Sequence, residues 1–140
     1  MRLRVLATVV LLAAAMSVAG CAAPSDDAQG NWVLTSGTGA DGELELVESH
    51  PVTLDIDETS AGGTAACNSY GGQVSRAQGG WRVTELFQTE MACEPAEVMT
   101  LESAYLTALG QVTRASATEN ELTLTGPGGV ELVFARGPIE

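Results

Sequence analysis

The sequence predicts an α+β domain: an antiparallel sheet that curls around, or packs against, one main helix at about residues 95–110. Three observations carry this reading. Short segments alternate apolar and polar residues with the period of a strand that has one wet face. Two glycine-rich connections lie between such segments, as hairpin turns require. One stretch alone, from Pro95 onward, has helical period. A single helix among six or more strands must bury its apolar stripe against the sheet.

Taken in order, the folded part opens at Gly30-Asn31, and Trp32-Val33-Leu34 forms a short apolar strand. Thr35 to Gly42 reads as a loop. Leu44 and Leu46 alternate with Glu43 and Glu45, and beyond Pro51 the residues Val52, Leu54 and Ile56 alternate with Thr53, Asp55 and Asp57. Both stretches read as strands, the second ended by Gly62-Gly63. Tyr70 to Arg76 and Trp81 to Val83 flank Ala77-Gln78-Gly79-Gly80, a hairpin; Leu122 to Leu124 and Val130 to Phe134 flank Gly126-Pro127-Gly128-Gly129, another. In the helix, Val98, Leu101, Tyr105 and Leu109 recur at steps of three and four, with Ala104 and Ala108 beside them. Pro95 suits its first turn, Glu94 and Glu97 favour the positive end of the dipole, and Gly110 is the expected stop.

Upstream of the domain, Arg2 and Arg4 precede a stretch from Val5 to Met16 that is apolar except for Thr8, followed by Ser17-Val18-Ala19-Gly20-Cys21. A positive start, a short apolar centre and small residues before a cut make a secretory signal, and a cysteine after Val-Ala-Gly is the pattern of a bacterial lipobox. A retained transmembrane helix is the plainer alternative, but twelve helical residues rise about 18 Å against a hydrocarbon core of about 30 Å. Residues 1–20 are thus expected to be removed and Cys21 to carry a diacylglyceryl group and acyl chains such as palmitate. Two or more chains anchor far better than one. The protein is then extracytoplasmic, lipid-anchored to the cell membrane or the outer membrane. Residues 21–29 form a small, polar tether, and residues 30–137 one domain.

All eighteen acids follow Cys21, where Arg76, Arg82, Arg114 and Arg136 are the only bases, so the mature charge is 4 minus 18, or −14. Phosphate backbones and anionic headgroups repel such a surface, which argues against nucleic acid as a partner and leaves membrane attachment to the lipid. The acids are dispersed, as on an ordinary solubilising surface.

Outside the cytoplasm, Cys67 and Cys93 most simply form a disulfide, the alternative being two buried thiols that never pair. A catalytic Cys67, or a Ser69 nucleophile, would need a base, and the single histidine, His50, sits in a loop before Pro51. No metal site is expected. Cys67, Cys93 and His50 lack paired zinc spacing, and Asp55-Ile56-Asp57-Glu58 departs from a calcium loop at Ser60 and Ala66.

The run Thr64-Ala65-Ala66-Cys67-Asn68-Ser69-Tyr70-Gly71-Gly72, then Thr89-Glu90-Met91-Ala92-Cys93, then Glu102, Tyr105, Leu106 and Leu109, resembles the META domain of HslJ-like envelope proteins. The likeness spans about Gly30 to Ala135, from a Gly-x-Trp-x-Leu opening to the closing Leu-x-Leu and Leu-x-Phe strands. It departs at Ala66, where the family usually has glycine, and at Val74, where an aromatic is common. The resemblance implies a mostly antiparallel, partly closed, barrel-like sheet with a helix, and no established catalysis or cofactor. It also implies an association with heat shock and other stress, and with tolerance of antibiotics such as novobiocin. Asn68, Tyr70, Gly71, Met91 and Ala92 are the motif residues, and structural roles are expected for them: Asn68 bonding its own loop, Tyr70 plugging the core, Gly71-Gly72 making a bend.

Three functions compete at this level. The first is a noncatalytic envelope lipoprotein binding an envelope protein or an apolar ligand through the sheet's open side. The second is a proteinase-inhibitor-like module presenting the braced loop Gln88 to Glu94. The third is a hydrolase using Cys67 or Ser69 with His50.

Overall fold

Apolar alternation and glycine turns resolve into a continuous antiparallel sheet in the computed structural model, which describes residues 28–138. The elements are β1 (Gly30–Gly39), β2 (Gly42–Glu43), β3 (Thr53–Ile56), β4 (Ser60–Ala65), β5 (Asn68–Ser75), β6 (Arg82–Gln88), α1 (Ala96–Gln111), β7 (Arg114–Ala117), β8 (Glu121–Thr125) and β9 (Glu131–Arg136). Strand order is β6-β5-β4-β3-β1-β9-β8-β7, with β2 hairpinned onto β1. The sheet curls as a half-barrel around α1, which touches β1, β4, β6 and β9. Its two ends approach at one place, where Trp81 N–H donates to the Thr113 carbonyl at 2.9 Å.

The α+β expectation is met, and so is the inward stripe of the helix: Val98, Leu101, Tyr105, Ala108 and Leu109 are buried against Trp32, Leu34, Leu54, Leu122, Leu124, Leu132 and Phe134 of the strands. Gly110 does not stop the helix. It lies inside the last turn, and the chain turns extended only at Val112, whose buried side chain holds the exit.

Three strand boundaries depart from the sequence reading. The segment Thr35 to Gly39 is strand, not loop, because β9 pairs with it through Ser36↔Val133, Gly37↔Leu132 and Thr38↔Glu131. A side chain at Gly37 would press on Leu132 Cδ2 at 2.9 Å, so this polar stretch is a strand made for its neighbour. Leu44 and Leu46 are not strand. Leu44 is buried and its N–H donates to the Gly37 carbonyl, while Leu46 is exposed and no strand lies alongside to use the alternation.

Gly62-Gly63, expected to end a strand, lies in the middle of β4. A Cβ on Gly62 would sit 2.8 Å from the Tyr70 carbonyl, and one on Gly63 would run into the Thr53 carbonyl, so close strand approach demands the pair. The bend expected at Gly71-Gly72 is a bulge, with the β5–β6 register shifting between Gly71↔Phe87 and Gln73↔Thr84.

At the N-terminal edge the core starts two residues earlier than expected. Ala28 is fully buried and its carbonyl accepts the Trp32 indole N–H at 2.9 Å. Arg136 stacks on the Trp32 ring at 3.9 Å and bonds the Gln29 carbonyl, which closes β9 over the chain's entry into β1. The signal segment, Cys21 and the tether up to residue 27 lie outside the described residues.

Candidate functional site

The two motif segments meet where β4 turns into β5. That turn has two residues, Ala66-Cys67, and Ala66 adopts φ 66°, the left-handed conformation that explains glycine's place there in the family it resembles. The turn sets Cys67 beside the irregular segment that follows β6, and Cys67 is bonded to Cys93 with Cα atoms 5.9 Å apart. The pairing left open by the sequence is thereby decided, and the thiol that a Cys67 nucleophile would need is consumed.

Directly beneath lies Asn68, buried, with every hydrogen-bonding position of its amide used. Its Nδ2 donates to Glu102 Oε1 at 2.7 Å and to the Met91 carbonyl at 3.0 Å; its Oδ1 accepts from Met91 N–H at 2.7 Å and Thr89 Oγ1 at 2.8 Å. Glu102, on the inward face of α1, is 2 % exposed. Its Oε2 accepts the backbone N–H of Asn68 at 2.6 Å and of Cys67 at 3.2 Å. One amide and one carboxylate thus bind three pieces of chain, the β4–β5 turn, the segment 89–93 and α1.

Sequence reasoning singled out Asn68 and passed over Glu102 as a site residue. A signal was present: Glu102 follows Val98 by four and precedes Tyr105 by three, so it stands on the apolar stripe, where a carboxylate needs partners.

Tyr70 continues the lock into the core. Tyr105 donates to the Tyr70 oxygen at 2.6 Å and Tyr70 donates onward to the Thr53 carbonyl at 2.8 Å. The rings meet edge to face at 5.6 Å, and Tyr105 meets Phe134 likewise at 6.5 Å. Burial pushes both phenols well above their usual value. For Tyr70 the neighbouring Tyr105 and Asp55 add to the rise, while the bond to Tyr70 partly offsets it for Tyr105.

The fold keeps these protons while the unfolded chain loses them above pH about 10, so stability is unaffected below that pH and falls above it, by up to about 2.7 kcal/mol per pH unit for two groups. The urea midpoint is therefore expected to drop between pH 9 and pH 11, with about half the slope in Tyr105→Phe. A flat midpoint across that interval would refute the assignment.

Of the remaining predicted residues, Gly71 lies under the Phe87 ring, where a Cβ would approach Cζ to 2.7 Å. Met91 contributes its backbone to Asn68 and leaves its side chain exposed; Ala92 is exposed, and no contact of its side chain explains its place in the motif. Ser49 Oγ lies 2.9 Å from His50 Nδ1, its chain neighbour, and no contact among the described residues joins His50 to Cys67 or Ser69. Among the described residues no three His, Cys, Asp or Glu side chains gather as a metal-ligand set, and no helix is long and apolar enough to cross a membrane.

The cluster holds more than it reacts: its amide, carboxyl and sulfurs are all engaged. What it presents outward is the segment 89–93 and a groove of about 480 Å³ whose lining is half apolar, Leu86, Phe87, Met99 and Leu106, and half polar, Gln88, Glu102, Ser103 and Thr107.

Comparison with known proteins agrees with this architecture. A solved NMR structure of a protein from Burkholderia xenovorans is similar at 27 % identity over 79 % of this chain and 83 % of that one, with a TM-score of 0.67. A second NMR structure shares the fold at 18 % identity over 76 % of this chain and 88 % of the other, with a TM-score of 0.56. No curated protein matches the chain. The META domain model matches residues 26–138, which takes in both motif segments and every described strand, and the chain therefore belongs to the META domain family.

Proposed function

We propose that this protein is a noncatalytic cell-envelope lipoprotein, anchored through Cys21, whose domain binds another envelope protein in the service of stress or antibiotic tolerance. The observation that carries this reading is Phe87, 69 % exposed, which lines the groove; Met91, 57 % exposed, stands on the segment that Asn68 and the disulfide brace. An exposed aromatic ring beside partly buried apolar side chains, here Leu86, Met99 and Leu106, is the kind of apolar surface that marks a binding site. Beyond Trp81 the outer edge of β6 pairs with no strand among the described residues, which offers main-chain groups beside that surface.

An apolar ligand inside the sheet is the weaker form of the reading, because α1, Trp32, Tyr105 and Phe134 occupy the concave side. A proteinase-inhibitor-like role has one favourable observation, the exposed Met91 on a doubly braced segment.

A photo-crosslinking residue at position 87, used in intact membranes, is expected to trap one envelope protein, and Met91→Ser should cut the yield severalfold. Trapping of a protease, or of nothing, goes against the reading. Cys21→Ser is expected to move the chain from the membrane to the soluble fraction; retention in the membrane would remove the anchor from the proposal.

A further inference from the structure

The described residues carry fifteen acids, the eighteen of the sequence less Asp26, Asp27 and Glu140, against four arginines. Three of those four come together. Arg76 and Arg114 line a cavity of about 300 Å³ at the seam where β6 meets β7, and Arg82 and Arg114 line the cavity adjoining it. No carboxylate lines either one. None of the three forms an ion pair among the described residues; Arg76 bonds only the Glu58 carbonyl, at 2.6 Å. In a chain this acidic, dispersed bases would find acids, so an unpaired group of three is a local field of opposite sign.

Three hydroxyls share the rest of the lining with Trp81, Ala115 and Gly79-Gly80. Arg114 lies opposite Thr125 and Ser116 opposite Thr123, so these side chains share the outer face of β7 and β8. Their hydroxyls have no other partner among the described residues. Trp81 forms a wall, 3 % exposed, and its indole N–H is buried with no acceptor among the described residues. Buried donors are nearly always satisfied, so this indole N–H in the cavity wall is a donor still open to an acceptor, water or anion.

We propose that the β6–β7 seam is an oxyanion site that takes a phosphoryl group. Guanidinium forks match phosphate oxygens in pairs; a soluble phosphomonoester brings about −1.5 to −2 to the three cations, and a phosphodiester headgroup brings a single charge on the same tetrahedral set of acceptor oxygens. The phosphoryl group comes either from a soluble phosphate compound or from a phospholipid headgroup.

The test uses the full chain in neutral detergent or in nanodiscs, followed through its two indole N–H resonances. Trp32, bonded to the Ala28 carbonyl, is the internal control. Inorganic phosphate is expected to shift Trp81 and the Arg114 side-chain signals and to leave Trp32 in place, with affinity falling at least about tenfold in Arg114→Gln and less in Arg82→Gln. Nanodiscs containing phosphatidylglycerol, compared with phosphatidylcholine alone, test the headgroup source; a shift in either arm supports the site and names its source. A response equalled by chloride at matched ionic strength, one unchanged in Arg114→Gln, or none in both arms overturns it. Both arginines are exposed on strand surfaces, so the variants should fold, and an unmoved Trp32 resonance verifies that they do.

Discussion

Asn68→Asp is expected to lower the unfolding free energy by about 3–5 kcal/mol, since it replaces a buried donor with an uncompensated charge. The new oxygen faces Glu102 Oε1 and the Met91 carbonyl, both acceptors, across what were hydrogen bonds of 2.7 and 3.0 Å. The amide cannot be mimicked by rotation, because the other carboxyl oxygen is needed by Met91 N–H and Thr89 Oγ1. At about 4–8 °C per kcal/mol for a domain near 100 residues, the melting temperature should fall by more than about 12 °C.

A second substitution separates this cause from generic damage. Glu102→Gln alone should destabilise by about 1–3 kcal/mol, because its amide donor meets the Asn68 amide donor. In the Asn68→Asp background the same change should stabilise, since a donor now meets a carboxylate. A double-mutant cycle by thermal melts reads the reversal directly; additive losses would show that the amide–carboxylate pair is not the source.

Removing the disulfide is the other large effect. Cys67 and Cys93 close a loop with a sequence separation of 26, and Cys67→Ser/Cys93→Ser is expected to lose roughly 3.5 kcal/mol on the chain-entropy account. The loss should not be spread evenly. The bond and the Asn68 lock hold the same segment, so without the bond the contacts of Asn68 to Thr89 and Met91 must order residues 89–93 unaided. Amide exchange at Met91 is therefore expected to rise far more than exchange at Leu54 or Leu124, and equal rises across the domain would contradict this.

What was legible in the sequence follows one physical line. Elements that carry their own signal were readable: the stripe Val98–Leu101–Tyr105–Leu109, the glycine turns of two hairpins, the cysteine pair Cys67 and Cys93. Elements that exist for a neighbour were not. Arg114 to Ala117 forms β7 with little apolar content, held by β8, and β4 is mostly glycine and small residues because the Tyr70 and Thr53 carbonyls leave no room for more. The reverse also holds: Leu44 and Leu46 alternate correctly and form no strand, because the chain leaves the β1 edge after the Leu44 N–H bonds the Gly37 carbonyl. At the site, the motif pointed to Asn68, but the meaning of Glu102 depended on knowing that its stripe faced the β4–β5 turn. The arginine group was invisible because it is gathered from three elements.

The pairing of β1 with β9 has a consequence in time. The first strand and the last lie side by side in the interior of the sheet, nearly 100 residues apart in the chain. A growing polypeptide can close the β3–β4–β5–β6 hairpins as they emerge, but the half that holds β7 and β8 enters the ladder only through β9, its far end touching the other half at the single Trp81–Thr113 bond. Assembly must wait for residue 136, and contacts this distant in sequence make folding slow. The chain stays open and threadable until synthesis is complete, and a molecule stopped before Glu131 is left as two unjoined halves of a sheet.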